Sequence, residues 1–162
     1  MKSIVLSMTI LLSTALAAAS ATQLSHEKTV GGQGVEGNVI IYDKELKRSC
    51  SLKPIAGKNE EYRFGSGKTC TSLPNDEAYY FKMDGVPSAV LVTFYDDPDC
   101  DATGNFAFMV RTLQSPTTLD EILLSAAHEK PEGTILAPGL RLEWKRGSGQ
   151  VGGKLSCVRI EH

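Results

Sequence analysis

The fold of this chain is decided by residues 86–100, VPSAVLVTFYDDPDC. Residues 89–95 are apolar apart from Thr93 and are rich in β-branched and aromatic side chains, a composition typical of a strand buried on both faces. The acidic turn 96–99 follows at once and leads into Cys100. Because a core strand, a surface loop and a cysteine lie so close together, we expect the rest of the domain to be arranged around them.

Several other segments have the period-two pattern, or the β-rich composition, of strands. They lie at 39–42, 50–52, 62–64, 77–83, 106–113, 140–145 and 155–160. The turn pair at 84–85 and Pro87 predict that segment 77–83 forms a hairpin with a strand starting at Ser88. The alternation also predicts that Leu140, Leu142 and Trp144 share one face, and the glycines of 147–153 predict a second hairpin loop.

One segment, 117–130, departs from the β pattern. Its apolar residues recur at helical spacing, with Leu119, Ile122 and Ala126 on one stripe. Thr118 and Glu121 have the spacing of a capping box at the start of a helix. We therefore expect one short helix over about 118–130, with a strand through 122–124 as the alternative.

The four cysteines, Cys50, Cys70, Cys100 and Cys157, are spaced by 20, 30 and 57 residues. An even number of cysteines in a secreted chain indicates two disulfides, for which three pairings exist. We expect Cys50–Cys70 and Cys100–Cys157, whereas the absence of short ligand spacings argues against zinc. The predicted fold is mainly β: a disulfide-linked antiparallel sandwich or open barrel with one short helix.

The chain divides into three segments by composition. Residues 1–21 have a positive start at Lys2, an apolar centre and a small-residue end, which is typical of a signal peptide and too short for a membrane anchor. Residues 22–37 are polar and glycine-rich, so we expect a flexible arm before a single β-rich domain at 38–162. The dibasic pair Lys47-Arg48 is a potential cleavage site, with a solvated turn as the simpler interpretation.

Charge excludes some partners. Loss of residues 1–21 removes one charged residue, Lys2, and changes the formal charge from −2 to −3 over the remaining 141 residues. That charge offers no electrostatic footprint for nucleic acid or an anionic membrane. We expect a secreted, extracellular monomer without a cofactor.

The acidic turn carries the first candidate site. Asp97, Asp99 and Asp101 alternate as the first ligands of a calcium loop do, but Ala102 and Phe108 stand where glycine and glutamate are needed. We therefore expect no tight metal site, and we expect Asp96, Asp97 and Asp99 to be exposed. A weak oxygen site at Asp96, Asp101 and Asn105 is the alternative. The candidate binding residues are Tyr80, Lys82, Tyr95, Asp96, Asp97 and Asp99.

Signatures of catalysis are absent from the sequence. The three histidines are His26, His128 and His162, and only His128 lies in a predicted element. No G-x-S-x-G elbow occurs, and paired cysteines leave no thiol nucleophile. A glycosidase with two carboxylates remains an alternative, since its carboxylates need only be close in space.

The stretch VPSAVLVTFYDDPDC resembles small secreted cysteine-containing proteins of filamentous fungi, among them candidate effectors. The shared pattern is a Ser-Ala strand running into Tyr-Asp-Asp-x-x-Cys, within residues 50–113. The same residues resemble the βγ-crystallin pattern of a strand followed by an aromatic-acidic turn. The resemblance to effectors implies a virulence-type protein that binds a host or surface protein or glycan without catalysis. An inhibitor or toxin of one partner protein and a small secreted hydrolase are the alternatives.

Overall fold

The structure is a computed structural model that describes residues 37–162. The signal peptide predicted at 1–21 and the arm predicted at 22–37, except for its last residue, lie outside the described residues. Gly37 is described and is buried, because its Cα lies against the backbone of Gly85, where a Cβ would come within 2.2 Å of a backbone atom.

Ten strands and one short helix make up the domain. In chain order they are β1 (Asn38–Asp43), β2 (Ser49–Leu52), β3 (Asn59–Arg63), β4 (Ala78–Asp84), β5 (Leu91–Tyr95), β6 (Phe106–Thr112), β7 (Ile122–Leu123), α1 (Leu124–Glu129), β8 (Ile135–Ala137), β9 (Leu140–Gly147) and β10 (Cys157–Glu161). They form a four-stranded sheet, β2-β1-β4-β7, and a six-stranded sheet, β3-β10-β5-β6-β9-β8, both antiparallel. The mainly β, sandwich-like fold is therefore confirmed, and it is not a closed barrel.

The core lies between the two sheets. Phe81 of β4 contacts Phe94 of β5, with ring centroids 4.9 Å apart, and Phe94 stacks on Phe108 of β6 at 4.7 Å. All three side chains are fully buried. Phe94 therefore connects the aromatic rings of the two sheets. Its strand, β5, is the one that the sequence predicts to be buried on both faces, and it lies near the centre of the larger sheet.

Both predicted disulfides are present. The Cα atoms are 5.6 Å apart in Cys50–Cys70 and 5.3 Å apart in Cys100–Cys157. The first bond connects β2 to the loop before β4. The second connects the acidic loop after β5 to β10, the neighbour of β5 in the six-stranded sheet.

The two predicted hairpins are wrong. Strands β4 and β5 lie in different sheets, so the turn at Asp84-Gly85 carries the chain across the sandwich instead of reversing it. β4 has one polar face and suits the smaller sheet, whereas β5 is buried on both faces and suits the centre of the larger one. The loop after β9 likewise does not close a hairpin, because β10 pairs with β3 and β5 and not with β9. This position of β10 brings Cys157 next to Cys100.

The predicted short helix is present, but it is shorter than the expected span of 118–130. Only Leu124–Glu129 is helical, and Ile122–Leu123 instead pairs with β4, as in the alternative interpretation. The capping box does not form: the Thr118 hydroxyl accepts a hydrogen bond from the Gly85 N–H at 3.0 Å. The Leu119 N–H donates to the Met83 carbonyl at 2.9 Å, so the chain runs along β4 at this point, and the helix begins only at Leu124.

Candidate functional site

The acidic turn lies in the loop between β5 and β6 and is held by its own carboxylates. Asp96 Oδ2 accepts hydrogen bonds from the backbone N–H of Asn105, at 3.1 Å, and from its side-chain amide. Asp97 accepts from the Asp99 N–H at 2.7 Å and from the Thr103 hydroxyl at 3.4 Å. Asp96 and Asp97 are consequently half-buried, so the expectation that they are exposed is wrong, whereas the Asp99 side chain is 84% exposed.

The same contacts bear on metal binding. A calcium loop needs several carboxylate oxygens that converge on one point. Asp96 and Asp97 instead point their oxygens at hydrogen-bond donors of the loop. Within residues 37–162, no group of three or more His, Cys, Asp or Glu side chains is placed to hold a metal ion.

The Cys100–Cys157 bond brings the acidic loop over the outer face of the six-stranded sheet, the face turned away from the other sheet. A small apolar cluster forms there from Tyr95, Cys100, Ala107 and Cys157, with Ala102 and Trp144 packed against it. Beside this cluster is an open cavity of about 330 Å³. We call it the Tyr95–Trp144 cleft; its lining residues are Tyr95, Asp99, Cys100, Asp101, Ala102, Trp144 and Arg159.

Trp144 reaches the cleft because of a bulge in β9. The register between β6 and β9 pairs Val110 with Leu142 but Met109 with Trp144, so Glu143 is the extra residue. A bulge reverses the alternation that follows it, and Trp144 therefore lies on the outer face instead of sharing the core face of Leu142. The predicted common face of Leu140, Leu142 and Trp144 is thus wrong. Nothing in the sequence pattern marks the bulge.

Charge pairs on both sides hold Glu143 in place. Its Oε1 lies 2.8 Å from Arg111 Nε and 2.7 Å from Arg141 Nη2. A carboxylate bracketed by two guanidinium groups is well satisfied at a partly exposed position. The bulge that exposes Trp144 is therefore supported by side chains on two neighbouring strands.

Arg159 of β10 also lines the cleft. Its guanidinium donates to Glu61 at 2.8 Å, to the Cys100 carbonyl at 3.0 Å and to the Tyr95 hydroxyl at 3.2 Å. It also lies over the Tyr95 ring, 5.3 Å from the centroid. Sequence reasoning missed this residue, because its position in β10 predicts only an ordinary exposed arginine.

The environment shifts the pKa values of both partners in this contact. Burial raises the pKa of the Tyr95 hydroxyl, and the Arg159 charge offsets only part of that effect. Burial lowers the pKa of Arg159, but the hydrogen bond to Glu61 together with the electrostatic attraction of Tyr95, Glu61 and Glu161 outweighs burial and leaves the pKa above its usual range. The cleft therefore presents a neutral phenol and a permanent cation at physiological pH.

The six candidate binding residues do not form one site. Tyr95 and Asp99 line the cleft, and Asp96 and Asp97 hold the loop beside it. Tyr80 and Lys82 lie in β4 of the other sheet. They are on its outer face, because they alternate with Phe81 and Met83, which are buried. Tyr80 is half-buried, and Lys82 Nζ lies 3.6 Å from Glu121.

A larger cavity, of about 620 Å³, lies between α1 and the glycine-rich loop 147–152. His128 lines it, but the residue is 6% exposed and its ring makes edge-to-face contacts with Phe106 and Phe108. Its Nε2 lies 3.2 Å from the Arg146 carbonyl. In the described part of the chain no hydroxyl or carboxylate is hydrogen-bonded to His128, so the pairing of nucleophile and base that a hydrolytic site needs is not assembled here.

Comparison with protein-family models, with curated proteins and with solved structures found no match to this chain. Across the part of the chain that the structure covers, no helix has the length and apolar character needed to cross a membrane.

Proposed function

We propose that this chain is a secreted, non-enzymatic binding protein of the effector or virulence type, acting on a host or surface partner through the Tyr95–Trp144 cleft. Two disulfides are the usual means of stabilising a protein of oxidising compartments. The sequence pattern of residues 1–21 supports secretion.

The observation that carries the proposal is the fixed geometry of the cleft. Its loop is tied to β10 by Cys100–Cys157, and its arginine is held by three partners. Binding sites with locked side chains lose little conformational entropy when a ligand arrives. A half-buried tryptophan beside exposed carboxylates is also the mixture of apolar body and placed polar groups that ligand sites use.

Purified secreted protein carrying a fluorescent label tests the proposal by flow cytometry on intact cells of candidate hosts. The cleft variant is Asp99→Lys/Asp101→Lys. The control is Glu45→Lys/Asp84→Lys, which makes the same charge change at two exposed positions away from the cleft. We expect saturable binding that the cleft variant loses and the control retains.

Two results would contradict the proposal. Equal binding by both variants would move the interaction away from the cleft, and an absence of saturable binding to every surface would argue against a binding protein. N-terminal sequencing of the secreted material tests secretion separately, and we expect it to begin at Thr22.

A further inference from the structure

We propose that the ligand of the Tyr95–Trp144 cleft is a neutral carbohydrate, recognised as a single sugar unit at a glycan end or within a chain. This inference rests on the proposed binding function and names the chemistry of its ligand. Size, the aromatic wall and the charge pattern of the cleft each support it.

The size of the cleft suits a small ligand. Its volume of about 330 Å³ is near the lower end of the range of about 300–1,000 Å³ for ligand pockets. The half-buried Trp144 supplies an aromatic surface at one wall, next to Ala102. A sugar ring has an apolar face of C–H groups and an equator of hydroxyls, so it matches a wall that is aromatic and a rim that is polar.

The charge of Arg159 does not favour an anion. Its nearest carboxylate is Glu61, at 2.8 Å, and the protein contacts of the guanidinium leave one Nη1 hydrogen without an acceptor among residues 37–162. A phosphate or sulfate group would need several converging donors or unpaired cations. Asp99 and Asp101 on the same rim would repel it as well.

The two exposed carboxylates provide acceptors for hydroxyl groups. Asp99 has only a long contact with Arg63, at 3.8 Å, and Asp101 is exposed on the cleft rim. An ionised carboxylate accepts hydrogen bonds at both oxygens, so it can bind two neighbouring hydroxyls of one sugar. The free Nη1 hydrogen of Arg159 can donate to a third oxygen of the same ring.

A cationic ligand is the closest competitor, because carboxylates and aromatic rings also bind ammonium groups. The Tyr95 ring face, however, is already covered by the Arg159 guanidinium. Only the Trp144 wall remains, and Arg159 would repel a second cation held between them. The cleft therefore favours a neutral ligand with many hydroxyl groups.

The single tryptophan of the chain gives a direct readout of the cleft. Full-length secreted protein is titrated with cellohexaose, xylohexaose, chitohexaose and mannohexaose while the Trp144 emission is followed. Sodium sulfate and tetramethylammonium chloride are the anionic and cationic probes, at constant ionic strength. We expect a saturable emission change with at least one of the neutral oligosaccharides, at a dissociation constant on the order of a millimolar for a one-unit site, and none with the two ions.

The variants test which side chains recognise the sugar. Asp99→Ala/Asp101→Ala removes both acceptors and should weaken binding at least about tenfold. Glu45→Ala/Asp84→Ala is the matched control and should bind as the unmodified protein does. An emission change with tetramethylammonium or sulfate, or none with any of the four oligosaccharides up to about ten times the expected constant, would overturn the carbohydrate assignment.

Treatment of the target cells separates this inference from the function on which it rests. Periodate oxidatively cleaves the carbon–carbon bond between neighbouring hydroxyl-bearing carbons of a sugar, whereas a protease removes surface proteins. We expect periodate treatment to abolish cell binding and protease treatment to leave cell binding unchanged. Binding that survives periodate and is lost after protease would leave the proposed binding function intact and refute the carbohydrate.

Discussion

The two disulfides should differ in their contribution to stability, because they close chain loops of different length. Cys100–Cys157 joins residues 57 apart and Cys50–Cys70 joins residues 20 apart. In the chain-entropy model these loops correspond to about 4 and about 3 kcal/mol of unfolding free energy. Cys157 is fully buried and Cys100 is 2% exposed, and both belong to the small apolar cluster on the outer face.

The assay compares Cys100→Ala/Cys157→Ala with Cys50→Ala/Cys70→Ala in urea and in a thermal scan. For a domain of this size each kcal/mol corresponds to about 3–4 °C, so we expect melting temperatures lowered by about 12–16 °C in the first double variant and about 9–12 °C in the second. Alanine is preferred to serine because it adds no buried hydroxyl without a partner.

Tryptophan emission adds an independent criterion. Trp144 packs against the cluster that contains Cys100–Cys157, whereas Cys50 and Cys70 belong to the main core. The native-state emission should therefore shift to longer wavelength in the first double variant and stay unchanged in the second. A larger loss of stability from the Cys50–Cys70 pair, or an equal emission shift in both, would refute this reasoning.

Three further predictions concern the core, the β1–β2 turn and the response to acid. Phe94→Ala should cost about 3–5 kcal/mol in urea unfolding, because its ring joins both sheets, while Leu113→Ala, at a position 44% exposed, should change stability by less than about 0.5 kcal/mol. The bond after Arg48 should resist trypsin in the folded protein and be cut in urea, since Arg48 is paired with Asp43 and Glu77 in a tight turn; rapid native cleavage there would contradict this. Burial raises the pKa of Asp43, but hydrogen bonds from Arg48 and Lys47, together with the charge of Arg48, outweigh burial and leave the pKa below its usual value of 3.8. The stabilisation is therefore present above that value and is lost as the pH falls through the lower folded-state pKa. The difference in unfolding free energy between the unmodified protein and Asp43→Asn should consequently shrink with acid. A difference that grows toward low pH would contradict the assignment.

The individual strands could be predicted because each depends on local pattern. The apolar, β-branched composition of 39–42 predicts β1, and alternation predicts the common face of Phe106, Phe108 and Val110 in β6, all three of which are buried. The cysteine pairing could also be predicted, since one bond closes a short loop and the other joins the acidic turn to the last strand.

The pairing of strands could not be predicted, because it depends on distant partners. The pattern of β4 and β5 with a turn between them is the same whether the strands pair or cross between sheets. In this fold β4 pairs with β1 instead of β5. Strand β1 lies between β2 and β4 in the smaller sheet. That placement also changes the meaning of Lys47-Arg48: cleavage after Arg48 would detach β1, with the fully buried Val39 and Ile41, and not merely a polar arm.

The cleft depends on three features that lie far apart in the chain. The bulge at Glu143 turns Trp144 outward, the disulfide at Cys100 brings the acidic loop over the sheet, and the register of β10 places Arg159 beside Tyr95. Each feature alone has an ordinary structural explanation. Their coincidence on one face is what leaves a tryptophan half-buried between carboxylates and an arginine. Alternation predicts a buried Trp144 and an acidic surface loop, and only the three-dimensional register makes them parts of one site.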